Sequence, residues 1–142
     1  MVARFHQTRE EEACQEARVT YLDTHIVEDI GLNRLKPFSK EARRLLSRDG
    51  VRISPMVLLE LEYLRDIGRL RIDSKEVLRR VEASVSLKVC DLPFKDVALQ
   101  ATLESWTRDP FDRMIVAQAR LAKAVLVTRD SLILAHYNRA IG

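Results

Sequence analysis

From Val19 onward, short runs of β-branched and apolar residues alternate with stretches of helical periodicity, and this alternation restricts the chain to a narrow set of folds. Val19 to Asp23 has the length and composition of a strand, and a helix begins near Thr24. A second helix follows Ser39 as N-cap and stops near Gly50. Val51 to Ile53 is a second strand, after which Ser54-Pro55 supplies an N-cap with proline at the first helical position, for a helix to about Gly68. Asp73 or Ser74 caps a fourth helix to about Ala83, Leu87 to Cys90 is a third strand, and Phe94 to Glu104 is a fifth helix. Asp109-Pro110 opens a sixth, Ala124 to Val127 is the last clear strand, and Ser131 to Tyr137 is a final helical turn. Strands separated by helices need crossover connections, which predicts an α/β fold with a short parallel sheet covered on both faces.

The 142 residues suffice for one domain with one core, expected over residues 19–142. Residues 1–18 contain the run Arg9-Glu10-Glu11-Glu12-Ala13-Cys14-Gln15-Glu16-Ala17-Arg18, good helix formers with almost no apolar face to bury, and read as a polar N-terminal extension. Hydrophobic residues at 46% and charged residues at 32% exclude a disordered chain. Apolar runs such as Ala124 to Thr128 fall far short of the ~20 residues a bilayer span needs, and the first residues lack a signal-peptide core, so a cytoplasmic protein with no membrane association is expected. Cys14 and Cys90 stand 76 positions apart with no Cys or His cluster near either, which points to neither a disulfide framework nor a zinc site.

Four acids occupy positions that ask for an explanation. Asp23 and Asp130 follow the first and last strands, and in open parallel sheets the carboxyl ends of strands line the functional crevice. Either residue is equally suited to capping the helix that follows. Glu60 shares an apolar stripe with Val57, Leu61 and Leu64, where a carboxylate is expensive to bury unless paired, protonated or bound to a metal. Glu62, two residues on, falls on a face with Leu58, Arg65 and Asp66 and reads as a solvated charge. Asp112 lies one turn before the seam of Ile115, Val116 and Ala119, while Asp109, just before Pro110, reads mainly as the N-cap of that helix. Carboxylates gathered at one crevice repel each other, and a hard divalent cation is the ordinary remedy. Oxygen-only ligation suits Mg²⁺ or Mn²⁺ and the hydrolysis of phosphodiesters, with no serine, cysteine or histidine nucleophile required.

The order Asp23, Glu60, Asp112, Asp130 resembles that of PIN-domain nucleases. Tyr21-Leu22-Asp23-Thr24-His25 is similar to the first-strand motif of VapC-type toxins, and Ile53-Ser54-Pro55 through Leu59-Glu60-Leu61 to the segment bearing the second acid. Asp109-Pro110-Phe111-Asp112-Arg113 with Ala117-Gln118-Ala119 resembles the third motif of one toxin subgroup, and Val127-Thr128-Arg129-Asp130 the last. The resemblance covers roughly residues 19–142 and implies a three-layer PIN-like fold. It further implies a metal-dependent endoribonuclease acting on RNA, a homodimer held inactive by a cognate antitoxin, and Mg²⁺ or Mn²⁺ as cofactor. Asp23, Glu60, Asp112 and Asp130 would then be the catalytic, metal-binding acids and Thr128 their hydrogen-bonding support. Residues 1–18 lie outside the pattern, and Glu28 stands where relatives often carry a bulky apolar or aromatic residue.

Rival enzyme readings fare poorly. A haloacid-dehalogenase-type phosphatase would want a second Asp two positions after Asp23, where this chain has His25. A Rossmann nucleotide binder needs a Gly-rich first turn, and the glycines are only Gly31, Gly50, Gly68 and Gly142. A PIN-fold protein that binds RNA or a partner without cutting is the remaining alternative.

Charge is unevenly spread: residues 1–30 carry 3 basic and 7 acidic side chains, residues 31–90 carry 14 and 8. Lys40, Arg44 and Arg48 form a ridge at i, i+4 and i+8 that suits either phosphates or solvent, and Arg65, Arg69, Arg71, Arg79 and Arg80 extend the basic region. An acidic antitoxin segment is a further partner for these cations. His25 reads as a packed or hydrogen-bonded histidine rather than a ligand, and Trp106 as a packing residue.

Overall fold

The computed structural model describes residues 19–142; the polar extension expected over residues 1–18, with Cys14, lies outside them. Among the described residues, five strands and seven helices follow in the order β1 (Thr20–Leu22), α1 (Thr24–Gly31), α2 (Lys40–Leu46), β2 (Val51–Ile53), α3 (Pro55–Asp66), α4 (Ser74–Glu82), β3 (Leu87–Val89), α5 (Phe94–Ala101), α6 (Pro110–Leu121), β4 (Val125–Val127), α7 (Ser131–His136) and β5 (Ala140–Ile141). The strands form one sheet in the order β3-β2-β1-β4-β5, and every neighbouring pair is parallel. Thr20, Tyr21 and Leu22 are all buried although successive strand residues face opposite sides, so helices cover both faces of the central strand. The alternation in the sequence therefore delivers the expected three-layer α/β architecture.

The helix ends follow from their caps. Ser39, Ser54 and Asp73 each accept a backbone N–H in the first turn of the helix that follows, as capping oxygens do. Gly31 lets α1 approach α4 closely: a methyl group there would meet Val77 Cγ1 at 2.9 Å, so the buried Val77 side chain would have to shift. The core runs between the layers, with Ile26, Ile53, Leu61, Ile115, Leu126 and Ile133 fully enclosed. Each such side chain contributes about 1.5–3 kcal/mol relative to exposure.

Some boundaries differ from those expected. The fifth helix stops at Ala101 rather than Glu104, because Glu104 turns inward to pair with Arg120. The second helix ends at Leu46, and Gly50 instead sits in the turn before β2 with φ +86°. The short strand β5 was not anticipated; Leu126 N–H donates to Arg139 O, and Thr128 N–H to Ile141 O, at 3.1 and 2.8 Å.

No described helix is long and apolar enough to cross a membrane.

Candidate active site

The chain runs outward from β1 to β2 and β3, then returns to the other side of β1 for β4 and β5. The order reverses between β1 and β4, and the carboxyl ends of strands at such a switch point form a natural crevice. Here lies a cleft of about 490 Å³ lined by Asp23, Glu60, Asp112 and Asp130, with Glu28 and Asp109 beside them. All four acids singled out from the sequence thus border one cleft, although they come from four different elements of the fold.

Asp23 ends β1 and caps α1. Its backbone N–H still donates to Val127 O at 3.0 Å, which ties it to β4. Its Oδ1 accepts from Thr24 N–H at 2.8 Å and its Oδ2 from the Thr128 hydroxyl at 2.7 Å. His25 Nε2 accepts from Arg129 N–H at 2.9 Å, which leaves Nδ1 as the N–H donor facing Asp23 Oδ2 at 3.2 Å. Burial nevertheless raises the Asp23 carboxyl above its ordinary pKa; His25, Thr128 and Thr24 oppose that rise, and Asp130 adds to it.

Asp130 caps α7 through Oδ1, which accepts from Leu132 and Ile133 N–H at 2.9 and 3.0 Å. The Asp130 N–H donates to Thr128 Oγ1 at 3.0 Å, so one hydroxyl joins the two strand-end acids. Both Asp23 and Asp130 therefore fulfil the capping reading and line the cleft as well.

Glu60 projects from the middle of α3, between the enclosed Val57 and Leu61. Its Oε2 accepts from the Thr24 hydroxyl, a partner 36 positions away. Burial pushes this carboxyl up to about 7, helped by the charges of Asp23 and Asp109 and opposed by the Thr24 bond. Glu62 on the other face accepts from Ser74 N–H and sits below its ordinary pKa for that reason first.

Asp109 is the N-cap of α6, accepting from Phe111 and Asp112 N–H at 2.8 and 3.1 Å. It also borders the cleft. Asp112 itself makes no side-chain hydrogen bond among the described residues. Burial raises it to about 7, reinforced by Asp109, Asp23, Asp130 and Glu60 in that order, so it stands within electrostatic reach of the other three acids singled out from the sequence and of Asp109.

Among the described residues, no three carboxylate, imidazole or thiolate groups converge closely enough to grip a metal ion: the acids ring the cleft rather than meet at a point. Their chemistry still fits a hard divalent cation. The donors are all oxygens, Asp112 lacks any competing bond, and burial, with the neighbouring acids adding to it, raises two carboxyls to about 7, a condition that a bound cation relieves.

The other sequence candidates sort themselves by place. Lys40 and Arg44 are exposed on α2 and Arg48 in the turn after its end, so the expected helical ridge stops short of Arg48; none of the three lines the cleft, whereas Arg69 does. Glu28 borders it too, paired with Arg34 at 2.8 Å. Trp106 stacks on His136 with ring centroids 4.9 Å apart and donates its indole N–H to the buried Glu104, as a packing residue does. A separate apolar cleft of about 240 Å³, lined by Ile30, Leu35, Phe38, Leu46 and Val85, contains none of the acids.

An α/β chain with acids ringing the switch point of a parallel sheet is thereby defined. The family model for the PIN domain matches residues 20–138, and the chain belongs to that family. Among solved structures, it is similar to VapBC2 from Rickettsia felis bound to a DNA fragment from their promoter, with TM-score 0.61 and 18% identity over 87% of this chain and 97% of that one. It is also similar to a toxin–antitoxin complex from Klebsiella pneumoniae, with TM-score 0.57 and 19% identity over 87% and 96% of the two chains. A third is VapBC-1 from nontypeable Haemophilus influenzae, at TM-score 0.54 and 21% identity over 85% and 91%. No curated protein sequence matches this one.

Proposed function

We propose that this protein is a metal-dependent endoribonuclease, the toxin component of a VapBC-type toxin–antitoxin module. The observation that carries the reading is the arrival of Asp23, Glu60, Asp112 and Asp130 from four elements at one cleft, on a PIN-family fold. Fold similarity to chains of toxin–antitoxin complexes supports a cognate antitoxin as partner; a homodimer in the cytoplasm completes the reading.

In this reading the four acids hold Mg²⁺ or Mn²⁺, and the ion supplies Lewis-acid charge for hydrolysis of an RNA phosphodiester. Asp23 is fixed for that task by Thr128, Thr24 and His25, so its orientation is set before any ligand arrives. Thr24 fixes Glu60 in the same way, which links the two acids through adjacent residues of α1. Asp112, with no bond to break, is the acid most responsive to a cation.

The spread of the carboxyls round the cleft is what a PIN-fold protein that binds RNA without cutting it would also show. One experiment separates the readings: incubation of the purified protein with a mixed RNA pool in Mg²⁺, Mn²⁺ or EDTA, with sequencing of the new ends. Ends that recur in either metal and vanish in EDTA are the expected result. RNA retained intact in all three supports the non-catalytic reading instead.

A further inference from the structure

A phosphate approaching this cleft meets a ring of negative charge. Six carboxyls line it, and the only lysine or arginine among the lining residues is Arg69. Glu28 is already paired with Arg34, so the charge of Arg69 is not needed there. We infer that Arg69 is the residue that binds the phosphate backbone of RNA at the cleft, an assignment that rests on the ribonuclease reading.

Two features of the structure support this. Arg69 forms no ion pair and no side-chain hydrogen bond among the described residues, although several carboxyls share its cleft. Arg34, Arg65, Arg79, Arg80, Arg120 and Arg129, in contrast, are each committed to a carboxylate. An arginine kept merely to neutralise the acids would be paired with one; Arg69 keeps its five N–H donors for something else, and a planar fork of donors suits a phosphate.

The second feature is the way the backbone presents it. The helix that carries Glu60 ends at Asp66, and in the turn just beyond it Gly68 has φ +80°, in the left-handed region that glycine adopts without strain. Gly68 N–H donates to Arg65 O, while Arg69 and Leu70 N–H both donate to Leu64 O, at 3.0, 2.8 and 3.2 Å. Leu70 is buried, so the turn is anchored on both sides of Arg69. Arg69 is thus held at a fixed place relative to Glu60, with a solvent-exposed side chain. The ridge of Lys40, Arg44 and Arg48 has the charge for this task but not the location.

The test uses Asp112→Asn protein, in which cleavage is silenced, and a fluorescein-labelled single-stranded RNA of mixed sequence, with affinity read by anisotropy over a series of salt concentrations. Each phosphate neutralised on a single strand contributes about −0.7 to the slope of log K against log salt. Adding Arg69→Gln should make the slope shallower by about 0.7 and weaken binding by about threefold to tenfold at low salt, without moving the melting temperature. Arg69→Lys should retain most of the slope. In the chain with all acids intact, Arg69→Gln should raise KM and leave kcat nearly unchanged. A slope unaltered by Arg69→Gln, in a protein whose wild type cleaves RNA, overturns the assignment of Arg69 alone. Loss of binding to a polyglutamate peptide with RNA binding unaltered overturns it in favour of an acidic protein partner. Failure of the wild type to cleave and of the Asp112→Asn protein to bind overturns the ribonuclease reading, and this assignment with it.

Discussion

Replacing Asp112 by asparagine should make the metal-free protein more stable at neutral pH, although it removes a charged side chain from a folded domain. The folded state raises this carboxyl from its ordinary 3.8 to about 7, through burial first and then through four neighbouring acids. A group that binds its proton more tightly when folded contributes stability that is fully present below about pH 4. That contribution is lost as pH rises through about 7. Each tenfold change in proton affinity is worth about 1.4 kcal/mol, so full transfer would give about 4 kcal/mol. Asp112 is only about half-buried, and solvent screening reduces this to about 1–2 kcal/mol. Asparagine mimics the protonated form at every pH. The variant should therefore melt about 3–8 °C above the wild type at pH 8 in EDTA and level with it near pH 4. Adding Mg²⁺ or Mn²⁺ should raise the wild-type melting temperature and do much less for the variant. Thermal melts by circular dichroism across this pH range are the assay. A variant that melts below the wild type at pH 8, or a difference that does not change with pH, would refute the clustering of these acids as a source of strain.

Asp109→Asn should lose less RNA cleavage than Asp112→Asn, because asparagine also caps helices well and can keep the bonds to Phe111 and Asp112 N–H; equal loss in an end-labelled cleavage assay would show that Asp109 does more than cap α6. Glu104→Ala should cost about 1–3 kcal/mol in urea unfolding, since the carboxyl is buried against Arg120 and the Trp106 indole while Arg120 still reaches solvent; an unchanged midpoint would remove Glu104 as the anchor of the segment leading to Asp109. Deleting residues 1–18 should leave the melting temperature within a few degrees, and aggregation of the truncated protein would show that this segment packs against the domain.

The features legible in the sequence were those that local pattern encodes. Val51 to Ile53 and Ala124 to Val127 are β-branched runs between turn signals, and they became central or adjacent strands. Ala140–Ile141 has two residues and pairs with β4 only through distant backbone, so no local period announces it. The four acids were visible because each sits at a strand end or beside an apolar seam. Their supports were less so. Thr24 on Glu60, and His25 between Asp23 and Arg129, are contacts across the chain that spacing cannot reveal. Glu104 reads as the end of a helix in the sequence and is instead a buried carboxylate, since its partner Arg120 lies 16 positions away. Arg69 was one of several cations until the turn at Gly68 placed it, and not the ridge of α2, at the cleft.

The central claim is that Asp23, Glu60, Asp112 and Asp130 act together on a metal ion to cut RNA, and removal of single charges within that set tests it most directly. The measurement is end-mapped cleavage of one RNA pool by wild type, Asp23→Asn and Asp112→Asn, each in Mg²⁺, in Mn²⁺ and in EDTA, with circular dichroism confirming that the variants are folded. Asparagine keeps the shape of the carboxyl and its capping ability but removes the charge that holds a hard cation. The account predicts defined ends from the wild type in either metal, none in EDTA, and none from either variant in any condition. Cleavage at the wild-type level by a folded Asp23→Asn or Asp112→Asn protein, or cleavage by the wild type that persists undiminished in EDTA, would contradict it.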